Sequence, residues 1–151
     1  VRPEKTSSDF IARFGDGEKI VTSIDALEEC VTSVVEKELP ELWLIPSSKA
    51  GQLGSLALRV FGLKPRPAVI AQFGPGGALV TFRDRIGGDY RVVNRDFDGQ
   101  ASRGDFVLHD KRRIPHRADE VFAIDEALGF VRDFHREGDR PWRLSCRPVA
   151  V

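Results

Sequence analysis

The chain has 151 residues, 41% of them hydrophobic and 30% charged, which is enough apolar material for one self-sufficient core. Its 23 basic and 23 acidic residues cancel, excluding the long-range positive field by which a general nucleic-acid or membrane binder gathers its target. No run approaches the ~20 consecutive apolar residues that cross a bilayer, and residues 1–14 lack the basic start and apolar middle of a secretory signal, so a cytoplasmic protein is expected.

Residues 1–19 are polar and broken by Pro3, Gly15 and Gly17, with Phe10, Ile11 and Phe14 as the candidates for burial. They read as an arm that docks on a single domain spanning 20–151. Methionine is absent, so Val1 is not expected to be the translated start. Ile20-Val21 ends a strand, Thr22 or Ser23 caps a helix, and Asp25, Glu28 and Glu29 put negative charge near its positive end. Ile24, Leu27, Val31, Val34 and Val35 recur at helical spacing. Pro40 stops that helix, and Leu42-Trp43-Leu44-Ile45 follow as a short strand closed by Pro46.

Residues 47–54 have the small, polar composition of a loop, and Leu56, Leu58 and Val60 then alternate as in a strand, which the prolines at 65 and 67 end. Residues 68–73 and 78–82 are β-prone runs around Gly74-Pro75-Gly76-Gly77, a hairpin composition. Gly87-Gly88 makes another turn before a run at 90–94. A charged stretch leads to Phe106-Val107-Leu108 and to the basic cluster Lys111-Arg112-Arg113 before Ile114-Pro115. Val121 to Ala123 or Ile124 closes a strand, Asp125 is placed to cap, and Ala127, Leu128, Val131 and Phe134 form one face of a second helix. Gly138 sits where that helix ends, and Pro141 opens a last run to Val149. The expected fold is α+β: a mainly antiparallel sheet of roughly five or six strands with two helices packed mainly on one face.

Chemical motifs are weak. Gly74-Pro75-Gly76-Gly77 lacks the Lys-Ser/Thr of a phosphate loop and precedes a β-prone run. His109, His116 and His135 show no metal-ligand spacing. Gly51-Gln52-Leu53-Gly54-Ser55 only approximates a nucleophile elbow. Cys30 and Cys146 lie far apart, so buried, reduced thiols are expected. Asp96 with Asp98, or Asp84 with Asp89, sit among arginines, where ion pairing and solvation explain them. Binding is therefore expected in preference to catalysis.

Two charged clusters stand out. Asp25, Glu28, Glu29, Glu36, Glu38 and Glu41 are opposed only by Lys37; they form either a solvated face or a docking surface for a basic partner, whose encounter an acidic patch would speed. Lys111, Arg112 and Arg113, with Arg117 nearby, are the local argument for a nucleic-acid-associated or regulatory module.

Ile114-Pro115, Ile124-Asp125-Glu126-Ala127, the helix face ending in Phe134, and Gly138-Asp139-Arg140-Pro141 with Leu144 resemble the closing unit of a known family. These are the small immunity proteins of bacterial polymorphic toxin systems, the first numbered family of that kind, whose members include inhibitors of nucleic-acid deaminase toxins. The strand-helix-strand order over 20–45 fits the family's opening unit. Where the family commonly has a tryptophan near the end of its last strand, Cys146 stands here, with Trp142 just after the proline. The resemblance implies a protein that binds and blocks a cognate toxin domain, with neither catalysis nor cofactor.

Overall fold

The computed structural model describes residues 10–15, 17–46, 68–83, 88–99, 103–138, 140–141 and 143–149. The expected loop at 47–54, the strand at 56–61, the proline-rich 63–67, and Asp84, Gly87 and Trp142 lie outside them. β1 (Phe10–Phe14) and β2 (Gly17–Val21) form a hairpin, and α1 (Ile24–Glu36) carries the chain to β3 (Glu41–Pro46). After β4 (Val69–Gly74), β5 (Gly77–Arg83), β6 (Asp89–Val92), β7 (Arg103–Val107) and β8 (Arg113–Arg117), a 3-10 turn at Ala118–Glu120 leads to α2 (Ile124–Glu137) and β9 (Cys146–Val149).

Seven strands form one sheet in the order β2-β1-β3-β4-β5-β6-β9, each neighbouring pair antiparallel, and β7 and β8 form a separate ribbon. The α+β class, the antiparallel sheet and the two helices are as expected. The sheet is longer because residues 10–19, expected as an arm, supply two strands: β1 pairs with β2 through Phe10 and Val21 and with β3 through Phe14 and Leu42. That places the start of the described domain at Phe10 instead of residue 20. Phe10 and Ala12 point into the core and Ile11 and Arg13 away from it, a period-2 pattern that a fully buried alanine leaves faint in the sequence.

The helices touch one another and lie on one face, α1 against β1, β2 and β3 and α2 against β4 and β5. Leu27, Cys30, Val31 and Val34 of α1 and Leu128, Val131 and Phe134 of α2 pack on Leu42, Leu44, Val69, Val80 and Phe82. Burying each aliphatic side chain contributes about 1.5–3 kcal/mol, so this layer dominates stability. On the opposite face Leu79 meets Phe106, Leu108, Ile114 and Val121, so the β7–β8 ribbon covers the sheet beneath β5.

The glycine-rich hairpin has a steric cause. A Cβ on Gly74 would be driven into the Val107 carbonyl oxygen, and one on Gly77, at φ 133°, would lie 2.5 Å from the Phe122 carbonyl oxygen. The turn is thus the place where two other segments approach the β4–β5 backbone.

Two expectations near the C-terminus are corrected. Residues 121–124 form no continuous strand; Phe122 makes a single antiparallel bridge to Ala78 after the 3-10 turn. Asp125 does not cap α2: Ala123 holds the N-cap without a side-chain bond, and Asp125 lies in the first turn. Gly138 ends the helix as expected, in the left-handed region at φ 73°. Among the described residues no helix is long and apolar enough to cross a membrane.

Candidate functional site: an acidic helix exit over an apolar pocket

The ends of α1 differ in how they are satisfied. At the start the Ser23 hydroxyl accepts the Ala26 N–H at 3.2 Å, the cap expected from Thr22 or Ser23. At the exit the Leu39 N–H bonds to the Val34 carbonyl at 3.0 Å and the Glu38 N–H to the Val35 carbonyl at 3.3 Å. These are the paired bonds of a Schellman termination, with Glu38 at the left-handed position, φ 49°, where glycine is the usual occupant. Lys37 is the C-cap, no basic residue lies in the last turn, and the negative end of the helix dipole faces outward there.

Glu38, Val34, Val35 and Leu39 form one wall of a pocket of about 330 Å³, closed by Phe73, Gly74 and Pro75 of the β4–β5 turn, His109, and Ile124 at the start of α2. The Phe73 carbonyl accepts the His109 N–H at 3.0 Å, fixing that wall. The walls are mostly apolar, and Val35 is 47% exposed. Glu36, Glu38, Asp125 and Glu126 are all exposed around this end of the helix pair, against Lys37.

The six carboxylates singled out in the sequence do not share one surface. Glu28 is bound by Arg132, whose Nε and Nη2 both donate to it, the latter at 3.0 Å. Glu29 pairs with Lys19, and that hydrogen bond raises the lysine's pKa. Glu41 lies on the far face of the sheet, where it accepts the Trp43 Nε1–H at 2.9 Å and pairs with Arg112. Asp25, Glu36 and Glu38 are exposed and form no ion pair among the described residues. Glu38 lines the pocket and Glu36 closes α1 two residues before it; Asp25 lies at the other end of α1.

The basic cluster is divided too. Arg112 is held by Asp110 at 2.6 Å and by Glu41, and Arg117 by Asp119 at 2.9 Å. Lys111, at φ 71° in the β7–β8 turn, and Arg113 are exposed. Arg13 lies over the Trp43 ring at 5.9 Å, and both line a cleft of about 280 Å³ with Glu41, Asp110 and Arg112.

The remaining titratable groups are separate. His116 stands edge-on to Phe106, His135 is buried against Phe10, and His109 lines the pocket. Among the described residues no three His, Cys, Asp or Glu side chains are grouped to hold a metal. Cys30 is buried and Cys146 half-buried; both are free, and burial raises both thiol pKa values, which keeps them protonated. Asp89 is fixed by Arg83 at 2.7 Å, while Asp96 and Asp98 are exposed. Among the described residues the most enclosed charge is Glu120, fully buried between Arg91, at 3.1 Å, and Arg147.

Sequence reasoning missed the pocket because four segments distant along the chain build it. One signal was available, a glutamate followed by Leu39 and Pro40 at a helix stop that ordinarily takes glycine. No family model, no curated protein and no solved structure matches the chain.

Proposed function

We propose that this chain is an inhibitory binding protein of the immunity type, which occupies a basic surface of a cognate toxin domain acting on nucleic acid. The observation that carries the reading is the exit of α1, where Glu38, exposed and without an ion-pair partner among the described residues, lines a mostly apolar pocket close to exposed Glu36. Such a surface is complementary to the cationic groove with which a nucleic-acid enzyme holds its substrate, and a protein seated there blocks substrate entry. The resemblance carried by Ile124-Asp125-Glu126-Ala127 and by Arg140 and Pro141 supports the partner class. The encounter this reading entails is cytoplasmic, and it uses neither metal nor cofactor.

Co-expression with toxins encoded beside the chain tests this. The expected result is restored growth and a complex that co-purifies, with Glu36→Lys plus Glu38→Lys weakening it at least about tenfold, through slower association as well as faster dissociation. Failure to protect against, or to bind, any such toxin removes the reading.

A second reading rests on the cleft lined by Arg13, Trp43 and Arg112 together with Glu41 and Asp110, next along the chain to exposed Lys111 and Arg113. An aromatic face flanked by arginines suits single-stranded nucleic acid once phosphates displace the carboxylates that now hold them. Affinity for an oligonucleotide that falls steeply with salt favours it, and no binding at low salt eliminates it.

A further inference from the structure

We infer that the pocket at the exit of α1 receives one arginine side chain of the partner, with Glu38 as its carboxylate; the inference rests on the inhibitory-binding reading. Three observations lead to it. At about 330 Å³ the pocket lies at the lower end of the roughly 300–1,000 Å³ of small-ligand sites, room for a side chain and too little for a docked helix or strand. Val34, Leu39, Phe73 and Pro75 offer apolar walls to an aliphatic stem. Among the described lining residues Glu38 is the one carboxylate, and it has no ion-pair partner among the described residues.

The conformation of Glu38 adds an argument independent of its charge. A side chain in the left-handed region is disfavoured, and glycine would close the same Schellman bonds without that strain. Folding alone gives no reason for a glutamate there, whereas a carboxylate held in place beside an apolar pocket has a use at an interface. Lys37 is the nearest cation in sequence, but it is exposed and forms no ion pair among the described residues. Arginine suits the site better than lysine, because its planar, weakly hydrated guanidinium can donate two parallel bonds to one carboxylate while its stem is covered.

The test needs no toxin. A capped tripeptide with a central arginine is titrated at low salt while the Val34, Val35, Leu39 and Ile124 methyl resonances are followed, and matched lysine and citrulline peptides serve as competitors. The expected result is shifts confined to those methyls, with affinity about tenfold weaker for lysine and for Glu38→Gln, the worth of one charge-assisted bond. Glu38→Gly is the folding control: it keeps or raises the melting temperature while binding weakens equally. Equal response to arginine and lysine, shifts elsewhere, no binding, or an unaffected Glu38→Gln overturns the inference. A chain that fails with the peptide yet forms a toxin complex loses this inference and keeps the inhibitory reading; loss of toxin binding with peptide binding intact does the reverse.

Discussion

At the scale of single residues, the buried polar groups decide how the fold answers pH and charge removal. His135 is 4% exposed, its Nε2 has no hydrogen-bond partner among the described residues, and burial lowers its pKa below the usual 6.5. The unfolded chain therefore binds this proton more readily than the folded one, and stability increases with pH through that window. His135's contribution is present above about pH 6.5 and is lost as pH falls through the lower folded value. Denaturant midpoints from pH 7.5 down to 5 are expected to fall, and His135→Phe, which keeps a ring beside Phe10, to flatten the slope; an unchanged slope rejects the assignment. Glu120 presents the opposite problem, a carboxylate shared by Arg91 and Arg147. Glu120→Gln leaves those guanidinium groups uncompensated, Arg91 at 7% side-chain exposure, and is expected to cost on the order of 3 kcal/mol in urea unfolding. Arg147→Lys should cost less, because Arg147 is 31% exposed and water replaces part of the lost bond.

Elements show where sequence was enough and where tertiary structure overruled it. In α1, Ser23 and Pro40 marked the two ends, and Leu27, Val31 and Val34 are buried as their spacing implied, whereas Ile24 and Val35, of the same apolar series, are exposed and Cys30 is buried in the face instead. The β4–β5 hairpin was legible from its glycines, although the tightest reason for Gly74 is the Val107 carbonyl pressed against it. Gly74→Ala is accordingly expected to lower the melting temperature well beyond the effect of an ordinary exposed turn alanine. Residues 121–124 misled because Phe122 has the apolar character of a strand residue. Its neighbours Asp119 and Glu120 are drawn into a 3-10 turn by Arg117, Arg91 and Arg147, partners that spacing along the chain does not reveal. The same shift leaves Ala123 at the N-cap of α2 with no side-chain acceptor. Ala123→Asp should supply it and raise stability by about 1 kcal/mol, measured as a higher denaturant midpoint at unchanged slope.

For the molecule as a whole, zero net charge conceals an uneven distribution. Most arginines with described partners lie in pairs that join separate elements, such as Arg132 to Glu28 between the helices and Arg112 to Glu41 between ribbon and sheet. The carboxylates at the α1 exit lie outside these pairs. Composition can count charges, but only the fold shows which have been used, and so the six acidic residues read as one surface in sequence separate into paired and available groups. If the available ones steer a partner, its association rate should fall severalfold from low to physiological salt while dissociation changes little, a split that stopped-flow mixing measures.

β1 lies between β2 and β3, so the crossover through α1 joins two parallel strands with a third already inserted between them. Trimming the polypeptide to begin at Ile20 would therefore excise a middle stave of the sheet. The bared margin of β3, with Leu42 and Leu44, would offer its open amides and carbonyls to other molecules. Such a shortened product should be recovered as insoluble polymer, whereas removal of residues 1–9 spares both hairpin strands.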